Sequence, residues 1–292
     1  MIKGCLYAVF SAFCFGLIAI LVKLSYQAGL QDMQLLTIRW LSGAAMLFVY
    51  LLLRDPALLK ASSKTIAKAA VLGAVFHFLG SMCFFKALKH IPAATASLIL
   101  YCYPVVVTLI SAAVFRMTID RFVSIALLLT TAGCSLVFYD AFVKALDAGG
   151  IVLAVVTTII FSGCMIFTQI FLRGERPLTM SFYMVLSTGL AFAAAGGGVP
   201  SFALDSRQWT LTLSLGLVPT AIAYVFHFRA VETVGSAYTS IFSTFEPITT
   251  VVMAFAVLGE DIVFPQIAGV LLIVAGIVMP NLRDRMAMRS LR

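Results

Sequence analysis

Residues 229–249 read RAVETVGSAYTSIFSTFEPIT, and they align without a gap with residues 86–106, KALKHIPAATASLILYCYPVV. The offset between the two stretches is 143 residues, and it places Pro247 on Pro104. Other identities under this offset are Ala87 with Ala230, Ala94 with Ala237, Ser97 with Ser240, Leu128 with Leu271, Ala132 with Ala275, and Gly133 with Gly276. Self-similarity at a fixed offset indicates duplication, so the sequence predicts two copies of one structural unit.

The composition around this repeat is that of a membrane protein. Of the 292 residues, 62% are hydrophobic and only 11% are charged, which is far from the values of soluble domains. Ten apolar runs approach the ~20 residues that a helix needs to cross the hydrocarbon. They lie at about 4–26, 33–53, 66–89, 92–115, 122–139, 149–172, 178–196, 208–232, 235–258 and 264–282. The runs lack strict alternation, so we expect an all-α integral membrane protein with ten transmembrane helices instead of a barrel.

The two copies are predicted to have opposite orientations. Residues 1–144 form the first five-helix repeat and residues 145–292 form the second. Because each repeat has an odd number of spans, the second copy enters the membrane from the other side. Two inverted five-helix halves are an architecture of transporters, in which one half rocks against the other and opens a central site to alternate sides.

The net charge of +8 would suit a nucleic-acid partner if the basic residues were clustered on one soluble surface. With a cytoplasmic N-terminus, however, 14 of the 20 basic residues fall on the cytoplasmic side of the ten spans. These are Lys3, Arg54, Lys60, Lys64, Lys68, Arg116, Arg121, Arg173, Arg176, Arg229, Arg283, Arg285, Arg289 and Arg292. This positive-inside pattern predicts that both termini are cytoplasmic. The expected partners are a small-molecule substrate and anionic membrane lipid, not nucleic acid, and the expected location is a bacterial inner membrane.

The chain offers no signal for metal or cofactor chemistry. All six cysteines fall inside predicted spans, with no C-x-x-C pair and no His–Cys ligand spacing. G-x-S-x-G, H-E-x-x-H and P-loop patterns are also missing from the sequence. We therefore expect no cofactor, no metal and no nucleotide site.

Residues 246–279, EPITTVVMAFAVLGEDIVFPQIAGVLLIVAGIVM, carry a family resemblance. They resemble the closing signature of the EamA family in the drug/metabolite transporter superfamily. That signature has a proline in the penultimate helix, a Gly–Glu pair at its end and a Gly-rich last helix. Here these features are Pro247, Gly259–Glu260, Gly269 and Gly276. The first half departs from the pattern, because Arg116–Met117 stands where Gly–Glu would be, and this leaves the turn geometry there open.

The resemblance covers nearly the whole chain and implies both a fold and a function. The implied fold is an inverted-repeat helical bundle, with a central site formed chiefly by spans one, three, four, six, eight and nine. The implied function is movement of small organic solutes, commonly as an exporter of amino acids or related metabolites. A homodimer is a further option that the sequence leaves open.

The aligned prolines predict a break in the fourth and ninth spans. Proline has no N–H and clashes with the carbonyl four residues earlier, so Pro104 and Pro247 release the carbonyls of Leu100 and Ser243. A free carbonyl at mid-depth is tolerated only where protein or water meets it. The break either lines a central cavity or only shapes the bundle.

One face of the ninth span is polar. At 100° per residue, the residues on one arc are Ser236, Thr239, Ser240, Ser243, Thr244, Glu246 and Thr250. The favoured interpretation is that this arc lines the cavity. The alternative is that its hydroxyls only join neighbouring helices.

Tyrosines occupy the matching part of the fourth span. Ser97, Tyr101 and Pro104 lie on one helical face, and Tyr103 stands where Glu246 stands in the second half. We expect Tyr101 and Tyr103 to close over a flat or amphipathic solute. Trp40, in contrast, fits the aromatic belt at the outer interface.

Four further polar residues are candidates for the central site. Arg39 is the seventh residue of the second span, so it either snorkels to the interface or binds a carboxylate across the bundle. His77 lies at mid-depth in the third span, where it either relays protons or is a hydrogen-bonded histidine at a helix interface. Tyr224 and Gln169 are weaker cavity candidates.

Glu246 is the main candidate for coupling or substrate binding. A charged residue at a span centre costs about 2.5–3.5 kcal/mol on insertion scales, so its side chain should face the cavity or a partner. We predict a transporter, not an enzyme, in which Glu246 changes protonation or contacts a substrate amino group. The alternatives are a permanently protonated donor that joins two helices, or an intramembrane enzyme that uses Glu246 with His77.

Overall fold

The computed structural model of the chain describes residues 2–87, 89–91, 93–139, 147–198, 203–259 and 261–289, with their side chains except at 93–94 and 280–289. The predicted repeat boundary at 144/145 and Glu260 of the Gly–Glu pair lie outside these residues.

The prediction of an all-helical protein with ten spans is confirmed. The first repeat contains α1 Ile2–Gln27, α2 Asp32–Arg54, α3 Ser63–Ala87, α4 as two segments Ala93–Leu100 and Tyr103–Phe115, and α5 Arg121–Val137. The second contains α6 Ala148–Phe171, α7 Pro177–Ala195, α8 at 206–234, α9 at 236–258 and α10 Phe264–Arg289. A 3₁₀ turn, Pro56–Leu59, connects α2 and α3. Gly235, with φ of +80°, separates α8 from α9.

The contacts between α1 and α8 define the two faces of the bundle. At the start of α1, Gly4 lies against Thr233 and Val234 at the end of α8. Beyond the end of α1, the carbonyl of Ala28 accepts a hydrogen bond of 2.7 Å from Gln208 at the start of α8. We call the first end the N-terminal face and the second the distal face.

The duplication is visible in helix irregularities as well as in sequence. α4 is interrupted at Tyr101–Cys102, and α9 is interrupted at Thr244, one turn before Pro104 and Pro247 respectively. Each proline therefore lies in the first turn of a new helical segment, where a missing N–H costs nothing. α3 and α8 both contain a π-helical segment, Val71–His77 and Leu217–Ile222. Such widened turns are frequent at functional sites.

Small residues permit close crossings at equivalent places in the two halves. A Cβ on Gly133 of α5 would lie 2.7 Å from the carbonyl oxygen of Gly269 in α10. A Cβ on Gly276 would lie 3.0 Å from the carbonyl oxygen of Ala126. Each contact is the counterpart of the other in the duplicated halves, since residue 133 corresponds to residue 276 and residue 126 corresponds to residue 269. Only glycine fits backbones this close, as expected for packing without a hydrophobic driving force.

A second pair of crossings lies closer to the site. A Cβ on Gly43 of α2 would lie 2.9 Å from the carbonyl oxygen of Gly216 in α8. At the pseudo-equivalent crossing, a Cβ on Gly73 of α3 would lie 2.3 Å from the carbonyl oxygen of Met184 in α7. The first of these contacts brings α2 of one repeat against α8 of the other, and so places Arg39 beside the π segment of α8.

The outside of the bundle is apolar. Large hydrophobic side chains that are well exposed include Leu53, Leu128, Phe264 and Leu271. An exterior of this kind is suited to contact with lipid acyl chains. The polar groups discussed below lie inside the bundle instead.

The turn after α4 has the same backbone geometry as the turn after α9, although Arg116–Met117 replaces the Gly–Glu pair there. Arg116 adopts the left-handed conformation, with φ of 54° and ψ of 34°. Its counterpart Gly259 ends α9 in the same conformation, with φ of 69° and ψ of 25°. The first half thus keeps the family's turn geometry without the glycine that normally allows it.

We expect Arg116→Gly to stabilise the protein. The left-handed conformation costs a non-glycine residue about 1–2 kcal/mol, partly offset by the greater chain entropy of glycine, so the net gain is about 0.5–1 kcal/mol. Thermal unfolding of the purified protein in detergent would measure it. Arg116→Ala removes the charge but keeps the Cβ, so an equal gain in that variant would assign the effect to charge.

Candidate functional site

A cavity of about 530 Å³ lies between the two repeats. It is lined by α1, α3, α4, α6, α8 and α9, with α2 contributing Leu36 and Arg39. Of the 27 described residues that line it, ten are Phe or Tyr, and Glu246 is the one acidic residue. The predicted residues that line it are Glu246, Arg39, His77, Ser97, Tyr101, Tyr103, Ser243 and Tyr224. Leu100 and Ser243, whose carbonyls the two prolines release, are both in the lining.

The cavity is open toward the distal face and closed toward the N-terminal face. Its lining extends to Lys23 and Tyr26 near the end of α1, and Tyr26 is 39% exposed. On the other side, the side chains of Ser236, Thr239 and Ser240 are fully buried between helices. The cavity is therefore accessible from one side of the bundle.

Glu246 is held at the break of α9, and its side chain faces the cavity. Tyr101, from the equivalent break in α4, is hydrogen-bonded to its carboxyl group. The α9 backbone is fixed against α1, because a Cβ on Gly16 would lie 2.7 Å from the Glu246 carbonyl oxygen. Thr250 also donates a hydrogen bond of 3.1 Å to the Gly16 carbonyl. The position of the carboxyl group is therefore set by both repeats.

Arg39 is buried and does not snorkel, with only 7% of its surface exposed. Its Nε donates to Thr220 Oγ1 at 2.9 Å, and its Nη2 donates to the Pro219 carbonyl at 3.4 Å. Both acceptors lie in the π segment of α8, which presents them to α2. The guanidinium also lies 5.3 Å from the centre of the Trp40 ring. These contacts hold the guanidinium at the cavity wall.

Arg39 and Glu246 lie across the same space. Both side chains line the one cavity. Within the described ranges, no ion pair joins them directly. A solute that carries both an acidic and a basic group could bridge them, with its carboxylate at Arg39 and its amine at Glu246.

His77 is part of a hydrogen-bonded interface instead of being isolated. Its Nδ1 lies 3.2 Å from the Tyr224 hydroxyl, and its Nε2 lies 3.6 Å from Cys164 Sγ. Its ring packs edge-on against Tyr224 with centroids 5.0 Å apart. The geometry fits the interpretation of an interface histidine that also lines the cavity. His227 lines the cavity too, and its buried Nδ1 has no partner in the structure.

The two tyrosines of α4 have different surroundings. Tyr101 stacks on Phe138 with centroids 5.6 Å apart and an angle of 12°. The Tyr103 hydroxyl is hydrogen-bonded to Ser243 of α9 and lies 3.5 Å from the Ser240 carbonyl oxygen. Tyr101 thus joins the aromatic wall, and Tyr103 closes the cavity toward the N-terminal face.

The structure differs from the sequence-based expectations at three places. Gln169 does not line the central cavity, because it is bound to Ser236 near the N-terminal face. Only Ser243, Glu246 and Thr250 of the polar arc reach the cavity, because the first half of α9 is packed between helices. The assignment of Trp40 to the interfacial belt is wrong, because it is 2% exposed and its ring lies against Tyr224 and His77.

Sequence reasoning also missed two residues that position the site. Thr220 accepts the hydrogen bond from Arg39, and the only hint of it was the proline beside it at 219. Gly16 permits α1 to approach Glu246, and its signal was the Phe15–Gly16 match to Ser162–Gly163 in the second repeat. Neither residue is ionisable, so a search for ionisable groups does not find them.

An inverted-repeat helical bundle with a cavity between its halves is the architecture of many membrane transporters. The sequence matches the model of the EamA-like transporter family twice, over residues 2–139 and 148–282. The chain therefore belongs to this family, as the closing signature indicated, and it is a multi-pass membrane transporter and not an enzyme.

Similar proteins are distant but cover most of the chain. The uncharacterized transporter YcbK of Bacillus subtilis is 22% identical over 277 residues, with 91% of this chain and 88% of that protein covered. The pseudopaline exporter CntI of Pseudomonas aeruginosa is 27% identical over 233 residues, with 78% of each chain covered. A solved crystal structure at 18% identity superposes with a TM-score of 0.81 over 97% of this chain and 98% of its own, which supports the fold alone.

Proposed function

We propose that the protein exports small organic metabolites that carry both an amino and a carboxyl group, such as amino acids or related compounds, by alternating access. The observation that carries this proposal is the placement of Arg39 and Glu246 across one cavity without a direct ion pair in the described part of the chain. Two side chains of opposite charge that are held apart in an apolar setting favour a ligand that can form an ion pair with each of them. Export is supported by the similarity to CntI.

The surrounding side chains are suited to the rest of such a solute. Aromatic rings from both repeats contribute to the wall, including Phe15, Phe161 and Tyr224. They would exclude water and hold an apolar portion of the substrate, while the charged groups fix its orientation. All of these groups come from one chain, so the site does not depend on a homodimer, which stays a prediction.

The proposal can be tested without a known substrate. Purified protein would be screened for thermal stabilisation by amino acids, amines, nucleosides and sugars, and the stabilising solutes would then be loaded into proteoliposomes. We expect stabilisation and efflux with solutes that carry both charged groups, recovered without covalent change. Stabilisation only by neutral sugars or nucleosides would overturn the proposed substrate class.

The proposed orientation has the N-terminal face in the cytoplasm, so the observed cavity would open to the outside of the cell. The basic residues support it, since Lys60, Lys64 and Lys68 cluster at the N-terminal face. Lys68 is paired there with Glu175 at 2.8 Å, which lowers the pKa of the Glu175 carboxyl group.

Cysteine labelling on intact cells would check this orientation. In a cysteine-free background, we expect an impermeant thiol reagent to modify the Ser206→Cys variant at the distal face and not the Ser62→Cys variant at the N-terminal face. The reverse pattern would invert the predicted topology. Permeabilised cells, in which both should react, provide the control.

A further inference from the structure

We infer that Gln169 controls which face of the transporter is closed, by holding the start of α9 in a hydrogen-bonded latch with Ser236 and Ser111. This inference rests on alternating access as the proposed transport mechanism. Gln169 Oε1 accepts two hydrogen bonds from Ser236, one from its backbone N–H at 2.7 Å and one from its hydroxyl at 2.6 Å. The Ser236 hydroxyl also lies 3.1 Å from the Ser111 hydroxyl. The latch therefore joins α6, α9 and α4.

The backbone at Gly235 makes this latch possible. Its φ of +80° turns the chain sharply between α8 and α9, a conformation that glycine adopts without strain. Ser236 is consequently the first residue of α9, and its N–H has no carbonyl within the helix to bind. Gln169 satisfies that donor from a neighbouring helix. The Ser236 side chain is fully buried, so the contact is part of the closed face and not a surface feature.

A second hollow lies at the latch, near the N-terminal face. It has a volume of about 200 Å³, and Ser111, Gln169 and Ser236 are all in its lining. Thr168, the residue before Gln169, lines the central cavity. Adjacent residues of α6 thus line the two spaces, and we expect opening of the latch to connect the central cavity to the N-terminal face.

In the sequence of the other repeat, apolar residues stand at the three positions that align with this latch. The offset of 147 residues that aligns Gly16 with Gly163 places Val22 opposite Gln169. The offset of 143 residues places Ala93 opposite Ser236 and Ala254 opposite Ser111. Closure of the distal face by the equivalent movement would therefore bring apolar side chains together without these hydrogen bonds. This difference favours the observed state, in which the N-terminal face is closed.

Loss of the Gln169 acceptor should shift the balance between the two states. Each net hydrogen bond changes an equilibrium several-fold, so we expect Gln169→Leu to shift the ratio by roughly tenfold toward opening at the N-terminal face. The shift would be measured as the labelling rate of two single-cysteine reporters in a cysteine-free background. The reagent would be a water-soluble maleimide, and the protein would be in nanodiscs, where both faces are accessible. Ala237→Cys lies in the second hollow and is 3% exposed at present. Ser97→Cys lines the central cavity.

The expected result is faster labelling of the Ala237→Cys reporter together with slower labelling of the Ser97→Cys reporter. Gln169→Glu retains the acceptor oxygens and should behave like the native protein. Ser236→Ala, which keeps the backbone bond, should give a smaller shift in the same direction and serves if Gln169→Leu does not fold. Faster labelling at position 237 alone would mean local fraying, and that outcome overturns the latch, as does no change at either position.

These measurements require no substrate, so they separate the latch from the proposed metabolite export. If the labelling rates of the two reporters change in opposite directions but no amino or carboxylate solute is exported, the latch is supported and the export proposal is rejected. If labelling is unchanged while efflux is normal, the latch is rejected and the export proposal is supported.

Discussion

Glu246→Gln is expected to reduce transport by roughly 10- to 100-fold while leaving the protein folded. A hydrogen bond to a charged group contributes about 1.5–3 kcal/mol, and glutamine retains the size and the hydrogen bonding of Glu246 but not its charge. The initial rate of efflux from proteoliposomes would measure the loss. Because Tyr101 donates to this carboxyl group in the native structure, the amide oxygen can accept the same bond, and stability should change little.

The pH dependence of transport provides the second readout for Glu246. If its carboxyl group exchanges a proton as the cavity changes sides, native transport varies with pH and Glu246→Gln transport does not. Among the described residues, the basic groups that line this cavity are Arg39, His77, His227 and Lys23, and its other ionisable groups are Cys164 and the tyrosines at 26, 101, 103 and 224. His77→Gln and His227→Gln are therefore the matched controls, and both should keep a pH dependence.

Two outcomes would contradict this role. An unchanged rate and pH dependence in Glu246→Gln would mean that the carboxyl group is a permanently protonated donor that joins α9 to α4. Loss of the pH dependence in His77→Gln alone would transfer the coupling role to α3. Tyr101→Phe separates positioning from charge, because it keeps the ring stacked on Phe138 but removes the donor to Glu246.

The fold of this protein is largely encoded in patterns that can be read without coordinates. Spans are set by the length of apolar runs, and the inversion follows from the odd number of spans in each copy. The breaks in α4 and α9 follow from Pro104 and Pro247, because proline removes a backbone donor wherever it occurs. These are local or arithmetical properties of the chain, which explains why the sequence predicts them.

The site was predictable in its chemistry but not in its extent. Glu246 and Arg39 stand out because a buried charge in a membrane span is costly. The polar arc of α9 shows which side of the helix is polar, but it does not show which residues along that side reach the cavity. Ser236 and Ser240 share that face with Glu246, yet they are packed against other helices because the bundle is closed at the N-terminal face. Which half of an arc meets the cavity depends on the conformational state, and periodicity does not specify that state.

Arg39→Lys should weaken binding of carboxylate solutes by roughly 10- to 100-fold although the charge is kept. Arginine binds a carboxylate through a planar fork, and lysine offers only a flexible point charge. The fork is also fixed here, since Nε and Nη2 are bound to Thr220 and Pro219. The shift in melting temperature as a function of solute concentration would give the affinity. Thr220→Val keeps the arginine but removes one acceptor, so it should cause a smaller loss.

The discriminating comparison uses solutes that lack one of the two charges. For a stabilising amino acid, the amide derivative lacks the carboxylate, and the N-acetyl derivative lacks the ammonium group. If the solute lies between Arg39 and Glu246, Arg39→Lys should lose affinity for the amino acid and the N-acetyl derivative but not for the amide. Glu246→Gln should spare the N-acetyl derivative and lose the other two. Equal losses for all three solutes in Arg39→Lys would mean that Arg39 only holds the π segment of α8 in place, because a purely structural contact between α2 and α8 has no means to distinguish the charges of the solute.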